Sequence, residues 1–224
     1  MARRANREPM AYLYGGQEFY GRIFEVTPAV LIPRPESEII VEAVLAVVPR
    51  DAGLRVADIG TGSGCLAVTI ACERPAARVM ATDVSANALE VAQRNVNRYN
   101  VETRVRLAIG DLLPDRVAPQ TAFDLIVSNP PYVPEGDRPA LPTEVRDYEP
   151  ATALFAGADG LDVIRRLVPV STEHLKPGGH LIFEIGIGQD GAVSQLISAT
   201  PGLRMLDLRN DLQGIPRTVV AQRI

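Results

Sequence analysis

The sequence predicts an α/β fold, a parallel sheet of seven strands with helices on both faces. Three observations carry this prediction. Short β-branched runs alternate with amphipathic stretches along most of the chain, the pattern of strand–helix–strand units. A glycine-rich turn joins an early strand to a helix in VADIGTGSGCLAVTIA (56–71). The 224 residues, 46% hydrophobic and 22% charged, suit one α/β domain with a large core and are short for two full domains.

The elements follow in order. Residues 1–35 hold three glycines and four prolines and read as an arm with a short hairpin over EFYGRIFEV. A helix over 36–48 places Ile39, Ile40, Ala43, Val44 and Val47 on one stripe. Strands are expected at 55–59, 78–83, 104–109 and 123–128. Between the second and third, a helix over 85–99 aligns Ala88, Leu89, Ala92, Val96 and Tyr99, with Ser85 as its N-cap. Residues 130–160, rich in proline and acid, directly follow Asn129 and read as a substrate-facing loop; a floppy insertion is the alternative. A helix near 162–176 is expected to stop at Pro177, Gly178 and Gly179, which turn the chain into a strand over 180–185. The last strands are placed at 204–208 and 218–222.

Composition narrows the function. The 23 basic and 27 acidic residues give a formal charge of -4, which argues against broad, sequence-blind binding of nucleic acid. No apolar run approaches a membrane span, and no apolar signal core follows the N-terminal arginines, so the cytoplasm is the expected compartment. Cys65 and Cys72, seven apart in one helix, cannot pair there and read as small buried hydrophobes. His174 and His180 read as surface or helix-end residues, and no metal site is expected.

In the glycine turn, Gly60, Gly62 and Gly64 let a ligand approach bare main chain at a helix start. A dinucleotide fingerprint would need its third glycine at Cys65, and no lysine completes a phosphate loop. Two acids sharpen the turn. Asp83 ends the next strand, where a carboxylate can accept both ribose hydroxyls of a nucleoside. Asp111 ends the one after, placed to face an adenine amine. One such acid would be an ordinary cap; a glycine turn and two acids at three successive strand ends describe a nucleoside site.

The motifs DIGTGSG, ATDVS, GDLL and NPPY together resemble the class I S-adenosylmethionine-dependent methyltransferases. With EFYGRIFEVTPAVLIPRPESE, EIGIGQ and DLQGIPR they resemble more specifically the HemK-type release factor glutamine methyltransferases, from about residue 8 to the C-terminus. The resemblance implies a Rossmann-like sheet with an antiparallel last strand, a methyltransferase domain over 36–224, and S-adenosyl-L-methionine as cofactor. It also implies a peptide chain release factor as partner, with nucleic acid involved only through the translation machinery. Cofactor-binding residues would be Gly60, Thr61, Gly62, Gly64, Asp83, Asp111 and Asn129. Family members normally carry an N-terminal helical domain that helps dock the substrate. It is expected to be missing here, either naturally or because the chain was cut. Ser37 stands where the family usually has threonine.

Chemistry is expected at Asn129, Pro130 and Tyr132. A primary amide is a poor nucleophile, because its nitrogen lone pair is delocalised into the carbonyl. The Asn129 side-chain oxygen and the Pro130 carbonyl can each accept one amide N–H and hold that nitrogen in place. Pro131 stiffens the loop, and Tyr132 can pack its ring on the flat group. Arg34 and Glu36 are expected in the substrate-binding walls. Adenine-N6 methylation of nucleic acid uses the same planar-amine logic and is the alternative activity; a non-catalytic cofactor-binding subunit is the alternative class.

Overall fold

The computed structural model describes residues 2–113 and 122–224. Two short helices, α1 (Ala2–Ala5) and α2 (Met10–Tyr14), precede the hairpin of β1 (Gly16–Phe19) and β2 (Arg22–Glu25). The hairpin sits where the sequence places it. Its two-residue turn, Tyr20–Gly21, takes positive φ at both positions, which matches the twist of paired strands. A 3-10 turn, Pro35–Ser37, leads into α3 (Glu38–Val47). Then come β3 (Arg55–Ile59), α4 (Cys65–Glu73), β4 (Arg78–Asp83), α5 (Ala86–Arg98), β5 (Val105–Ile109) and β6 (Phe123–Ser128). After β6 the chain forms α6 (Thr143–Arg146), α7 (Ala151–Leu154) and α8 (Asp162–His174). It closes with β7 (Leu175–Glu184), α9 (Asp190–Ala199), β8 (Leu203–Asn210) and β9 (Pro216–Arg223).

The sheet runs β5-β4-β3-β6-β7-β9-β8, parallel through β7, with β9 inserted antiparallel between β7 and β8. Alternate side chains pack on opposite faces, as strands buried on both sides require. On one face Val56, Val79, Leu125 and Val127 meet α3 and α4. On the other Ala57, Ile59 and Phe183 meet α8 and α9. The strand order reverses between β3 and β6, which opens a crevice at their carboxyl ends, the usual ligand position in open α/β sheets.

Several local expectations are corrected. The helix near 162–176 ends at His174, and Pro177, Gly178 and Gly179 lie inside β7, where the register against β6 shifts. Leu175 is fully buried, so the extended run begins five residues early, and His180 is a half-buried strand residue. In α3 the buried residues include Val41 in place of Ile39 and Val47. In α5 Val91 and Asn95 are buried and Leu89 is not, although Ser85 does cap the helix by accepting from the Ala88 N–H. Asn95 is buried because it is used: its amide bonds the Glu25 backbone and the Ser63 carbonyl, tying α5 to the hairpin. Cys65 and Cys72 are free and half-buried. Residues 130–160 are ordered by α6, α7 and a bridge from Val133 to Phe155.

Candidate active site

Three strand ends build the floor. At the end of β3, Asp58 is fully buried, and its Oδ2 accepts from Thr61 Oγ1 at 2.6 Å and the Ala67 N–H at 3.1 Å. Burial, helped by the nearby Asp83 charge, pushes the Asp58 carboxyl up to about 7 against those two hydrogen bonds. At the end of β4, Asp83 accepts from the Gly62 N–H and the Ser85 N–H, both at 2.9 Å, so this acid also holds the glycine turn in shape. Gly60 and Gly62 line the crevice with open space where a Cβ would stand. Gly64 does not line it. A Cβ there would sit 3.3 Å from Ala92 Cβ, so its bareness serves the packing of α4 on α5. Asp111, after β5, lies on the crevice wall but is exposed and paired to Arg166 at 2.5 Å.

Two cavities meet here. The first, about 290 Å³, is lined by Gly60, Thr61, Gly62, Asp83, Val84 and Leu112, among others. The second, about 660 Å³, is lined by Arg34, Tyr132, Val145, Gln189 and Arg217, among others. Their linings share Leu31, Asn129, Pro130 and Ala153. Asn129 and Pro130 therefore stand between the two cavities. Pro131 lines only the first cavity and Tyr132 only the second, while Glu36 lines neither.

The loop carrying Asn129 is held from three sides. Asn129 Nδ2 donates to Ser37 Oγ at 2.8 Å, and Ser37 Oγ donates to Glu184 Oε2 at 2.5 Å. Tyr132 donates its hydroxyl to Glu184 Oε1 at 2.9 Å. Gln189 donates to the Tyr132 and Asp159 carbonyls at 3.0 and 3.3 Å and accepts from the Gly186 N–H. Gly160 must be bare, because a Cβ would come within 2.1 Å of the Tyr132 carbonyl oxygen. Burial raises the Glu184 carboxyl, and the Ser37 and Tyr132 hydrogen bonds and Arg217 hold that rise back. Burial also raises the Tyr132 phenol, with Glu184 adding to the effect.

The wall of the second cavity joins distant segments. Arg34 pairs with Glu149, whose other oxygen accepts from the Ile32 N–H at 3.2 Å. Arg217 pairs with Asp211 at 3.2 Å. Glu184, Gln189 and Arg217 enter the sequence reading only within the motifs EIGIGQ and DLQGIPR, with no role assigned to any of them, and Glu149 is not singled out in it. Glu184 left one signal, a carboxylate ending an apolar strand in EIGIGQ, as Asp83 does in ATDVS. Among the described residues no cluster of three or more His, Cys, Asp or Glu side chains can hold a metal ion.

The methyltransferase small domain family model matches residues 37–142. The chain is 46% identical to the release factor glutamine methyltransferase of Koribacter versatilis, covering 100% of this chain and 78% of that protein. It is 48% identical to the one of Geobacter sulfurreducens, covering 98% and 75%. The chain belongs to the release factor glutamine methyltransferase family. Among solved structures, a Pyrococcus furiosus methyltransferase matches over 99% of this chain and 98% of that one, with a TM-score of 0.66 and 21% identity. The Thermus thermophilus 16S rRNA N2 G1207 methyltransferase, in complex with AdoMet and guanosine, matches over 93% and 49%, with a TM-score of 0.64 and 20% identity. At that identity these two show the fold alone. Like its family, the protein is a methyltransferase that uses S-adenosyl-L-methionine.

The first cavity fits that cofactor. Bare glycine backbone lies beside Asp83, apolar Val84 and Leu112 offer a surface for a base, and acids outnumber bases in the lining, which suits a cationic ligand.

Proposed function

We propose that the protein methylates N5 of a protein glutamine, that of the Gly-Gly-Gln loop of a peptide chain release factor. The observation that carries this reading is the shared wall. A cofactor in the first cavity and a side chain in the second would meet at the wall formed by Asn129 and Pro130 with Leu31 and Ala153, of which only Asn129 carries a polar side chain. The names of the relatives, at 46 and 48% identity, favour glutamine over the adenine of a nucleic acid.

S-adenosyl-L-methionine, when bound, supplies a methyl group made electrophilic by its sulfonium. Asp83 is read as the ribose partner, Gly60–Gly62 as the backbone cradle, and Asp111 as a rim acid that Arg166 shares. The hydrogen bonds among the described residues leave Asn129 Oδ1 and the Pro130 carbonyl without a donor, so each can take one N–H of the substrate amide. This holds the nitrogen at the wall, with its lone pair toward the cofactor side. The N–C bond forms as the S–C bond breaks, and the protonated N-methyl amide, a strong acid, gives its proton to water. No general base is needed. Positioning of this kind supplies on the order of 7–11 kcal/mol in well-oriented reactions.

The second cavity would take the glutamine and its two preceding glycines, with Tyr132 packing on the amide plane and Arg34 in the wall. Residues 1–35 act in this reading as an arm beside the methyltransferase domain over 36–224. Among the described residues no helix is long and apolar enough to cross a membrane, which suits action on the translation machinery in the cytoplasm. Mass spectrometry of a release factor incubated with enzyme and cofactor tests the reading: one methyl is expected on that glutamine. An unmodified factor at stoichiometric enzyme, beside a methylated adenine-containing nucleic acid, overturns it.

A further inference from the structure

We propose that Ser37 and Glu184 act as a positioning relay that fixes which end of the Asn129 amide faces the substrate. The proposal rests on the reading of Asn129 as acceptor for the substrate amide, and it concerns how that polarity is set.

An asparagine amide has two ends of nearly equal shape and opposite hydrogen-bonding sense. Only the oxygen end can hold a substrate N–H. Nothing in the geometry of Asn129 itself selects that end. The selection comes from counting hydrogens in its neighbours. Ser37 Oγ lies between Asn129 Nδ2, at 2.8 Å, and Glu184 Oε2, at 2.5 Å. The hydroxyl has one hydrogen to give. Burial works against the Glu184 charge, while the two hydroxyls that meet its oxygens, Ser37 at Oε2 and Tyr132 at Oε1, and the nearby Arg217 favour it; ionised, Glu184 only accepts. The Ser37 hydrogen is thereby committed to Glu184, and Ser37 faces Asn129 as an acceptor. Asn129 must answer with its NH₂ end, which turns Oδ1 to the shared wall. A flipped amide would set Oδ1 against a hydroxyl oxygen with no hydrogen between them.

Burial keeps this count strict. Ser37 is 2% exposed and Glu184 1%, so water has little access to supply a replacement partner. The relay is also assembled from three distant parts of the chain, the turn before α3, the end of β6 and the end of β7. Glu184 is thus placed to act through Ser37 on Asn129 and through Tyr132 on the second cavity, without touching the reacting atoms.

The test combines kinetics with the side-chain NH₂ signals of Asn129 in ¹⁵N-asparagine-labelled protein, assigned by their loss in Asn129→Ala. In Ser37→Ala the kcat for glutamine methylation should fall about tenfold or more, the scale of small misplacements. Cofactor affinity should change far less than kcat, although Ser37 also lines the first cavity, and the hydrogen-bonded Asn129 N–H signal should move to the position of a free amide. Ser37→Thr, which returns the hydroxyl, should restore both kcat and signal relative to Ser37→Ala. Glu184→Gln, nearly isosteric, removes the acceptor-only partner and should lower kcat while splitting or broadening the Asn129 signal. If Ser37→Ala and Glu184→Gln keep the wild-type kcat and the wild-type Asn129 signal, the relay is wrong. If Asn129→Ala itself retains full activity, the acceptor reading beneath it has failed instead.

Discussion

The two cavities share a wall and are built in opposite ways. The cofactor side is made of neighbours in sequence and of adjacent strand ends: Thr61 on Asp58 three residues away, and Gly62 on Asp83 across one strand–helix unit. The second cavity is stitched across the chain, with Arg34 to Glu149, Ser37 to Glu184 and Asn129 to Ser37 at separations of 115, 147 and 92 residues. Charge differs as well. Asp58 and Asp83 meet hydroxyl and backbone N–H donors, whereas Arg34 and Arg217 each have an acid of their own. A cationic cofactor gains from Asp83, a carboxylate in the lining with no basic partner of its own, while a neutral amide needs a shaped wall with its charges already cancelled. Each cavity can therefore be damaged without the other.

The sharpest break is at the shared wall. Asn129→Ala should lower kcat by about a hundredfold or more while leaving cofactor affinity nearly intact, since it removes the acceptor and none of the glycine cradle. Single-turnover methylation and calorimetry on the same preparation check both halves; normal turnover would remove Asn129 from the chemistry.

Damage confined to the cofactor side comes next. Asp83→Ala should weaken S-adenosylmethionine binding by about 1.5–3 kcal/mol, the worth of a hydrogen bond to a charged group. Because Asp83 also holds the Gly62 and Ser85 N–H groups, some of that loss reflects a loosened turn. Asp83→Asn, which keeps an acceptor, should recover part of the affinity in calorimetry.

The reverse selectivity is expected from Glu149→Ala. It strands Arg34 in the wall of the second cavity and removes the acceptor of the Ile32 N–H. Removing one partner of a buried pair typically costs several kcal/mol, and the 30% exposure of the Arg34 side chain reduces this to about 1–3 kcal/mol of stability. The KM for a release factor should rise severalfold with cofactor affinity unchanged. Equal losses in both affinities would show that the cavities are mechanically coupled.

The smallest expected effect is a pH dependence. Asp58 titrates near 7 in the folded protein, above the ordinary aspartate value. Between those two values the unfolded chain has lost this proton and the folded protein keeps it, so the Asp58 contribution to stability declines as pH rises toward 7. Asp58→Asn retains an acceptor for Thr61 and Ala67 and should flatten that decline. Thermal denaturation of both proteins from pH 5 to 8 checks the sign: the Tm advantage of Asp58→Asn should grow with pH.

Strands 55–59, 78–83 and 123–128 were legible to the residue, because a fully buried parallel strand is a contiguous apolar run with a hard edge. Ser85 as cap and the hairpin were legible for a related reason: each is a short-range device whose partners lie within a few residues. Leu175 as a strand start was not, since the Pro-Gly-Gly that follows it looks like a stop and becomes a bulge only because β6 pairs alongside. The sequence by itself determined the strands of the sheet and the placement of the glycine turn and Asp83 at adjacent strand ends. Only the tertiary structure decided which end of the Asn129 amide meets Ser37, which acid holds Arg34, and that Gln189 locks the Tyr132 backbone. Those choices depend on hydrogen-bond direction between residues brought together by folding. A hydroxyl or carboxylate carries no mark, in sequence, of the partner that will claim it.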